Sequence, residues 1–213
     1  MTIFPTAYFP SIALMAAIVH EKELLIEAKE SFPKQTHRNR AVILTANGAM
    51  TLSVPVSRPN GNHTCTCDIG ISYAEPWNII HWRAITSAYN SSPFFLFYKD
   101  GIEKILLKRY EKLCQLNETL LLYIFRQLKI EIPIRYSEQY INPTEAREDY
   151  RDKYNYKHPD RLPFLPPYTQ VFSDRMAFNG NVCILDTLFN LGPETLDYLL
   201  SVKSDSNHMF HDS

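Results

Sequence analysis

The order of apolar and polar blocks along the chain predicts its elements before any single residue is weighed. An apolar run from Thr2 to Tyr8 reads as a strand. Pro10 to Val19 reads as a helix begun on proline, whose fixed φ suits a first helical turn. A second short strand, Glu23 to Glu27, precedes the polar run Gln35-Thr36-His37-Arg38-Asn39-Arg40. Ala41 to Leu44 and Thr51 to Val56 read as strands on either side of Asn47-Gly48. That pair tolerates positive φ at both turn positions and so suits a type I′ hairpin. Ser57 to Asn62 is a surface connection, and Thr64 to Ser72 resumes extended structure.

Glu75-Pro76-Trp77 opens the next helix, with Ile80, Ala84, Ile85 and Ala88 as its apolar stripe and Trp77 and His81 one turn apart on an adjacent face. The helix stops at Asn90-Ser91-Ser92-Pro93. Phe94 to Tyr98 is either a buried short strand or a core-docking loop. From Gly101 to Lys129 an apolar period through Ile102, Ile105, Leu113, Leu120 and Leu128 predicts the longest helix. Its interleaved lysines and arginine form a wet face or a partner-binding one. Ile132 to Tyr168 is irregular and rich in proline and tyrosine; such segments are often lids or binding loops. Tyrosine beside arginine suits a planar polar ligand such as a sugar or nucleotide, and a strap over the core is the alternative. After Tyr168 to Phe172, a short helix from Ile184 to Leu191 ends at Gly192-Pro193, and a last helix runs from Glu194 to Val202. The expected fold is α/β in one domain over 1–202: a mixed sheet with a Rossmann-like N-terminal strand-helix-strand unit and a mostly helical C-terminal half. Residues 203–213 read as a frayed polar tail.

At 213 residues and 45% hydrophobic, the chain can bury a core without staples. Its net charge of −1 supplies no broad positive field for duplex nucleic acid. No apolar run reaches the roughly 20 residues that span a bilayer. The opening segment lacks a basic n-region and is broken by Pro5 and Pro10, so a cytoplasmic protein is expected. Four cysteines are too few for a disulfide framework. His63-x-Cys65-x-Cys67 has a metal-like look. In a regular strand, however, alternate side chains stand about 6 to 7 Å apart, whereas two sulfurs on one zinc lie within about 4.6 Å. Neither a metal nor a cofactor is expected.

The candidate chemistry centres on an anion. If the amino end of the first helix faces outward, its dipole and free N–H groups favour negative charge. If Gln35 to Arg40 is extended, Arg38 and Arg40 point one way and can grip a phosphate or carboxylate with two forks. The alternative is an exposed strand end with salt bridges. His81 and His37 are candidate general bases, since histidine titrates near neutrality; each can equally be a hydrogen-bonded core residue. Asp149, Asp152 and Asp186 are possible acid or base partners, with Asp152 the catalytic candidate and Asp186 a buried, orienting one. Tyr8, Asn39, Trp77, Tyr150, Arg151 and Gln170 complete the expected binding set. There is no Ser-His-Asp order, P-loop, glycine-rich dinucleotide turn or zinc-protease helix.

Several motifs together resemble the WbqC-like family: Tyr8-Phe9-Pro10, Arg38-Asn39-Arg40 before an apolar strand, Val54-Pro55-Val56, Trp77 with His81, Tyr89 with Pro93-Phe94-Phe95, and Leu185-Asp186 with Leu188-Phe189. They run in the family's order from Ile3 to Leu200. Thr6-Ala7 stand where many members carry glutamine-proline. The resemblance implies a cytoplasmic step of surface-polysaccharide synthesis of the O-antigen type, such as acyl or aminoacyl transfer to an activated amino sugar. A sugar phosphate, nucleotide sugar or activated acyl donor is then the small anionic ligand, with enzymes of the same pathway as possible partners. Two alternatives stand beside it: a non-catalytic binding or assembly protein of the pathway, and a nucleotidyltransferase-like enzyme.

Overall fold

The first strand, β1 (Thr2–Pro5), is buried along its whole length, as an unalternating apolar run requires: both of its faces must be covered. In the computed structural model, which describes residues 1–154 and 159–203, β1 leads into α1 (Ile12–Val19) and then β2 (Leu24–Glu27), which pairs with β1 in parallel. The expected tail over 203–213 therefore lies outside the described residues, except for Lys203. Ser11 caps α1, its Oγ accepting from the Leu14 N–H at 3.2 Å. From Ile12 to Ile18 every residue of α1 is buried, so this is an interior helix and not an amphipathic surface one. The expectation of an outward-facing amino end is overturned. The Ile12 N–H donates to the Val182 carbonyl at 3.1 Å and the Ile184 N–H to the Pro10 carbonyl at 2.8 Å, so residues 182–184 cover that end.

A hairpin forms where the sequence predicts one, but not with the expected turn: β3 (Arg40–Thr45) pairs antiparallel with β4 (Gly48–Ser53), with Thr45 opposite Gly48. Ala46 and Asn47 are therefore the loop residues, and of the Asn47-Gly48 pair only Gly48 has a positive φ. A second small ribbon joins β5 (Val56–Ser57) to β6 (Gly70–Ile71). The expected extended run from Thr64 to Ser72 is interrupted by a 3₁₀ turn, Thr66–Asp68. Helix α2 (Trp77–Tyr89) follows.

The next stretch departs from the expectation. Phe94 to Tyr98 is neither strand nor loop but leads into α3 (Phe95–Leu107), and the apolar period over 101–129 belongs to two helices, α3 and α4 (Leu113–Leu128). The break between them has a tertiary cause. The Ile71 N–H donates to the Glu111 carbonyl and the Leu113 N–H to the Ile69 carbonyl, with Gly70 bridging Lys112. Pairing with β6 thus takes the backbone groups a continuous helix would have used.

The irregular segment after α4 is only partly so. It supplies β7 (Ile134–Tyr136) and β8 (Glu148–Asp149), which take the two edges of the main sheet. The sheet order is β7-β2-β1-β8 and every pairing in it is parallel; antiparallel pairing occurs in the two ribbons and in isolated bridges such as Ser11 with Cys183. The C-terminal region is mostly helical, with α5 (Leu185–Leu191) and α6 (Thr195–Ser201), and α6 packs on α1. One continuous buried cluster runs from Phe4 to Val202.

Helix α5 ends at Gly192, at φ +58° and ψ −124°, a conformation that L side chains avoid. A Cβ there would lie 2.5 Å from the Phe94 ring. Gly192→Ala is therefore expected to cost about 2 kcal/mol or more in urea unfolding; a loss under about 0.5 kcal/mol would mean this turn is not held as described.

Candidate functional site

Strand order sets where a ligand can enter. The chain passes from β1 to β2 and on to β7 in one direction, then returns to put β8 on the other side of β1. In parallel sheets the crevice beyond the carboxyl ends of the strands, at such a reversal, is where loops diverge and ligands bind. Here β2 ends in Glu27 and β8 in Asp149. Beyond them lies a crevice of about 520 Å³ lined by Lys29, Glu30, Tyr140, Asp149, Arg151 and Asp152, among others. A second void, of about 10 Å³ between β1, α1 and α4, is nearly closed and mostly apolar.

The crevice is built from buried charge. Glu27 is wholly buried and accepts from the Lys29 N–H (2.7 Å), the Ser137 hydroxyl (2.6 Å) and the Ile141 N–H (2.8 Å). The Arg151 Nη1 lies 3.6 Å from its Oε2. Arg151 in turn donates through Nε and Nη2 to Asp149, at 2.9 and 2.5 Å, and through Nη1 to the Ile141 carbonyl at 3.0 Å. Burial pulls the Asp149 carboxyl up, but the Arg151 hydrogen bonds outweigh it and hold the group below its ordinary value.

Arg38 is the largest fully buried side chain. Its Nε and Nη2 donate to the two carboxylate oxygens of Glu30 at 2.5 and 2.8 Å, a two-pronged pairing that lysine cannot make. Burial pushes the Glu30 carboxyl above its usual value even though Arg38 lowers it; nearby Asp152 pushes the same way as burial. The third nitrogen, Nη1, is buried and makes no hydrogen bond. Asp152 Oδ1 stands 3.8 Å from it, beyond hydrogen-bonding reach, on a side chain that is 75% exposed.

The local backbone explains how Arg38 arrives there, and it corrects the sequence reading. Residues 35–40 are not extended: Gln35 has φ +60° and the Asn39 N–H turns back to the Thr36 carbonyl. The turn is clamped from three sides. The His37 carbonyl accepts from the Tyr8 N–H, the Arg38 carbonyl from Asn117 Nδ2, and the Asn39 amide donates to the Val54 carbonyl. Arg38 therefore points inward to Glu30, while half-buried Arg40 opens β3 opposite Ser53. The strand alternation expected to align the two arginines does not exist, and α1 offers no open amino end to complete their site.

Other expected residues fall into two interior groups. On α2, His81 Nδ1 accepts from the Tyr8 hydroxyl at 2.9 Å, and the Trp77 ring meets the imidazole edge-on at 5.1 Å between centroids. Burial pushes His81 down to about 4, against the backbone hydrogen bond to Ser53 that raises it. His37 is likewise pushed down to about 4 by burial, while a backbone hydrogen bond to Tyr154 works the other way. Both rings are thus neutral near pH 7. The second group is the buried Asp186, which accepts from Tyr168 (2.5 Å), Tyr89 (3.0 Å) and Gln170 (2.8 Å). Burial raises its pKa although these bonds lower it. Tyr150 stacks on Phe4 at 4.8 Å, inside the core.

Of the expected set, Arg151 and Asp152 line the crevice, and Arg38 lies just behind it, paired to the lining Glu30. Tyr8, Trp77 and His81 form one buried cluster, and Gln170 and Asp186 another. Sequence reasoning missed Glu27, Lys29, Glu30 and Tyr140. A signal did exist: an acid closes the apolar strand Leu24–Glu27, with a lysine and a second acid just beyond it.

A family model described as the WbqC-like protein family matches residues 6–153. The chain belongs to the WbqC-like family. Every residue of the crevice named above lies inside that match, whereas Gln170 and Asp186 lie outside it. The chain is also similar to the uncharacterized protein Rv1507c of Mycobacterium tuberculosis (strain ATCC 25618 / H37Rv), 25% identical over 227 residues, covering 93% of this chain and 96% of that protein. No solved structure matches it. No helix among the described residues is long and apolar enough to cross a membrane.

The histidines give a pH test. The folded pKa of His81, about 4, is below the usual 6.5, so protons prefer the unfolded chain. Its contribution to stability is complete above pH 6.5 and is lost as pH falls toward 4. Replacing it by asparagine should flatten the stability profile in that window by up to about 1.4 kcal/mol per pH unit. An unchanged slope in urea titrations at successive pH values would show that the imidazole is not held neutral.

Proposed function

We propose that this WbqC-like protein is an enzyme of surface-polysaccharide synthesis, of the O-antigen type, that transfers an acyl or aminoacyl group onto the amine of an activated amino sugar. One observation carries the reading. At the reversal of strand order, two cationic groups and one carboxylate in the crevice or just behind its lining lack full partners among the described residues. Arg38 Nη1 makes no hydrogen bond there. Lys29 Nζ has only the Cys67 sulfur, at 4.0 Å, and no carboxylate within ion-pair distance among the described residues. Asp152 has its single long approach to Arg38. The remaining carboxylates of the lining, Glu30 and Asp149, are each held by a guanidinium.

That set matches what the transfer needs. The acceptor's nitrogen lone pair forms the new bond to the acyl carbon, and the leaving group departs with the electron pair of the bond that breaks. Asp152 takes the proton that the nitrogen must lose. Lys29 and Arg38 Nη1 hold oxygens of the donor, including the carbonyl oxygen that gathers negative charge on the way. Tyr140, with the Arg151 guanidinium 5.4 Å from its ring centroid, offers a flat surface to a sugar. The two histidines are buried and neither lines the crevice, whereas Asp152 does, which favours Asp152 in that role. The association of WbqC-like proteins with surface-polysaccharide clusters supports the pathway.

The test is turnover. The protein is incubated with nucleotide-linked amino sugars and acyl thioester or aminoacyl donors, and products are read by mass. Asp152→Asn should lower the rate about 10²- to 10⁴-fold without weakening acceptor binding. Binding of the same ligands with no product from the unaltered protein would instead identify a non-catalytic member of the pathway.

A further inference from the structure

The accounting around Arg38 leads one step further. Its guanidinium is wholly buried, its backbone is held through the Asn117 bond to its own carbonyl, and two of its three nitrogens are fastened to Glu30. The third nitrogen is oriented at no cost in side-chain freedom and faces one carboxylate, Asp152, at 3.8 Å. An ion pair so exposed and so long contributes little, so moving Asp152 aside is easy. Asp152, Lys29 and Glu30 all line the crevice, so Arg38 lies behind that lining and the carboxylate facing Nη1 is one that stands in the open space.

We infer that a phosphoryl group of the ligand takes the free face of Arg38 by displacing Asp152, with Lys29 as its second cationic contact. The competing ligand must outdo a carboxylate for the same nitrogen. A phosphate monoester carries about −1.5 to −2 charges near pH 7 and three acceptor oxygens, against one charge on Asp152. Charge balance shows why Asp152 must give way. The crevice and the pairs behind it contain Lys29, Arg38 and Arg151 against Glu27, Glu30, Asp149 and Asp152, so three cations face four carboxylates. With Asp152 turned out, an arriving anion meets three cations against three carboxylates and no longer a negative set. On the reading proposed above, the displacement has a further effect: a carboxylate freed from Arg38 is available for the proton of the acceptor, so donor binding prepares the base. This last link rests on that reading, whereas the phosphoryl site does not.

Calorimetry with inorganic phosphate and with a simple sugar phosphate, using the free sugar as a neutral control, tests the site on the full chain. Asp152→Asn should bind both phosphates about tenfold tighter than the unaltered protein, and Lys29→Ala about tenfold weaker, with the free sugar unaffected. Arg38→Lys should abolish the binding, but it also breaks a buried pair and can unfold the chain; the two exposed variants keep the test decisive. Equal or weaker phosphate affinity in Asp152→Asn, or no phosphate binding by either protein, overturns the inference. Tighter phosphate binding without transfer activity leaves the site standing and removes the proposed reaction. Transfer activity with phosphate affinity indifferent to Asp152 does the reverse.

Discussion

The pairing of Arg38 with Glu30 is the constraint around which the rest of the site is arranged. Removing a guanidinium and a carboxylate from water is costly, and the loss is recovered only when geometry is good and the remaining hydrogen-bonding capacity is used. Here two parallel bonds recover part of it, and the surrounding chain supplies the geometry. The turn over 36–39 is clamped by Tyr8, Asn117 and Val54, which come from the β1–α1 connection, α4 and the end of the hairpin. Three other stretches of sequence are thus needed to present one side chain. A second ionic knot, Glu27 with Arg151 and Asp149, ties the ends of β2 and β8 across the strand between them. Together they make the carboxyl end of the sheet a polar floor on an apolar core.

Much of the fold was legible because its signals are local. The Asn47-Gly48 pair marked the place of a hairpin, although its loop residues proved to be Ala46 and Asn47, with Gly48 already paired to Thr45. The proline before Trp77 marked where α2 begins, and the apolar run before Pro10 marked β1. What escaped was settled elsewhere in the chain. Residues 108–112 continue the helical period of their neighbours, yet they pair with β6, and no property of the segment itself announces that partner. Gln35 adopts a positive φ without the glycine or asparagine that usually signals one, so the polar run after it looked extended.

The site was legible by halves for the same reason. Arg38, Arg151 and Asp152 stood out as charged residues in otherwise uneventful stretches. Their partners Glu27 and Glu30 were hidden in plain composition, because a carboxylate at a strand end gains meaning only when the sheet order is known. Trp77 and His81 were equally conspicuous, but one turn of helix specifies only that two side chains are neighbours. It cannot tell whether they face a ligand or, as here, the Tyr8 ring.

The cover over α1 has a temporal consequence. The helix leaves the ribosome well before the backbone that closes its amino end, which comes from 182–184, and the helix that packs on it, α6, is later still. Until those residues emerge, an all-apolar helix has no complete housing. A segment made early is therefore finished late, and the nascent protein must carry that sticky surface while all the intervening elements are synthesised.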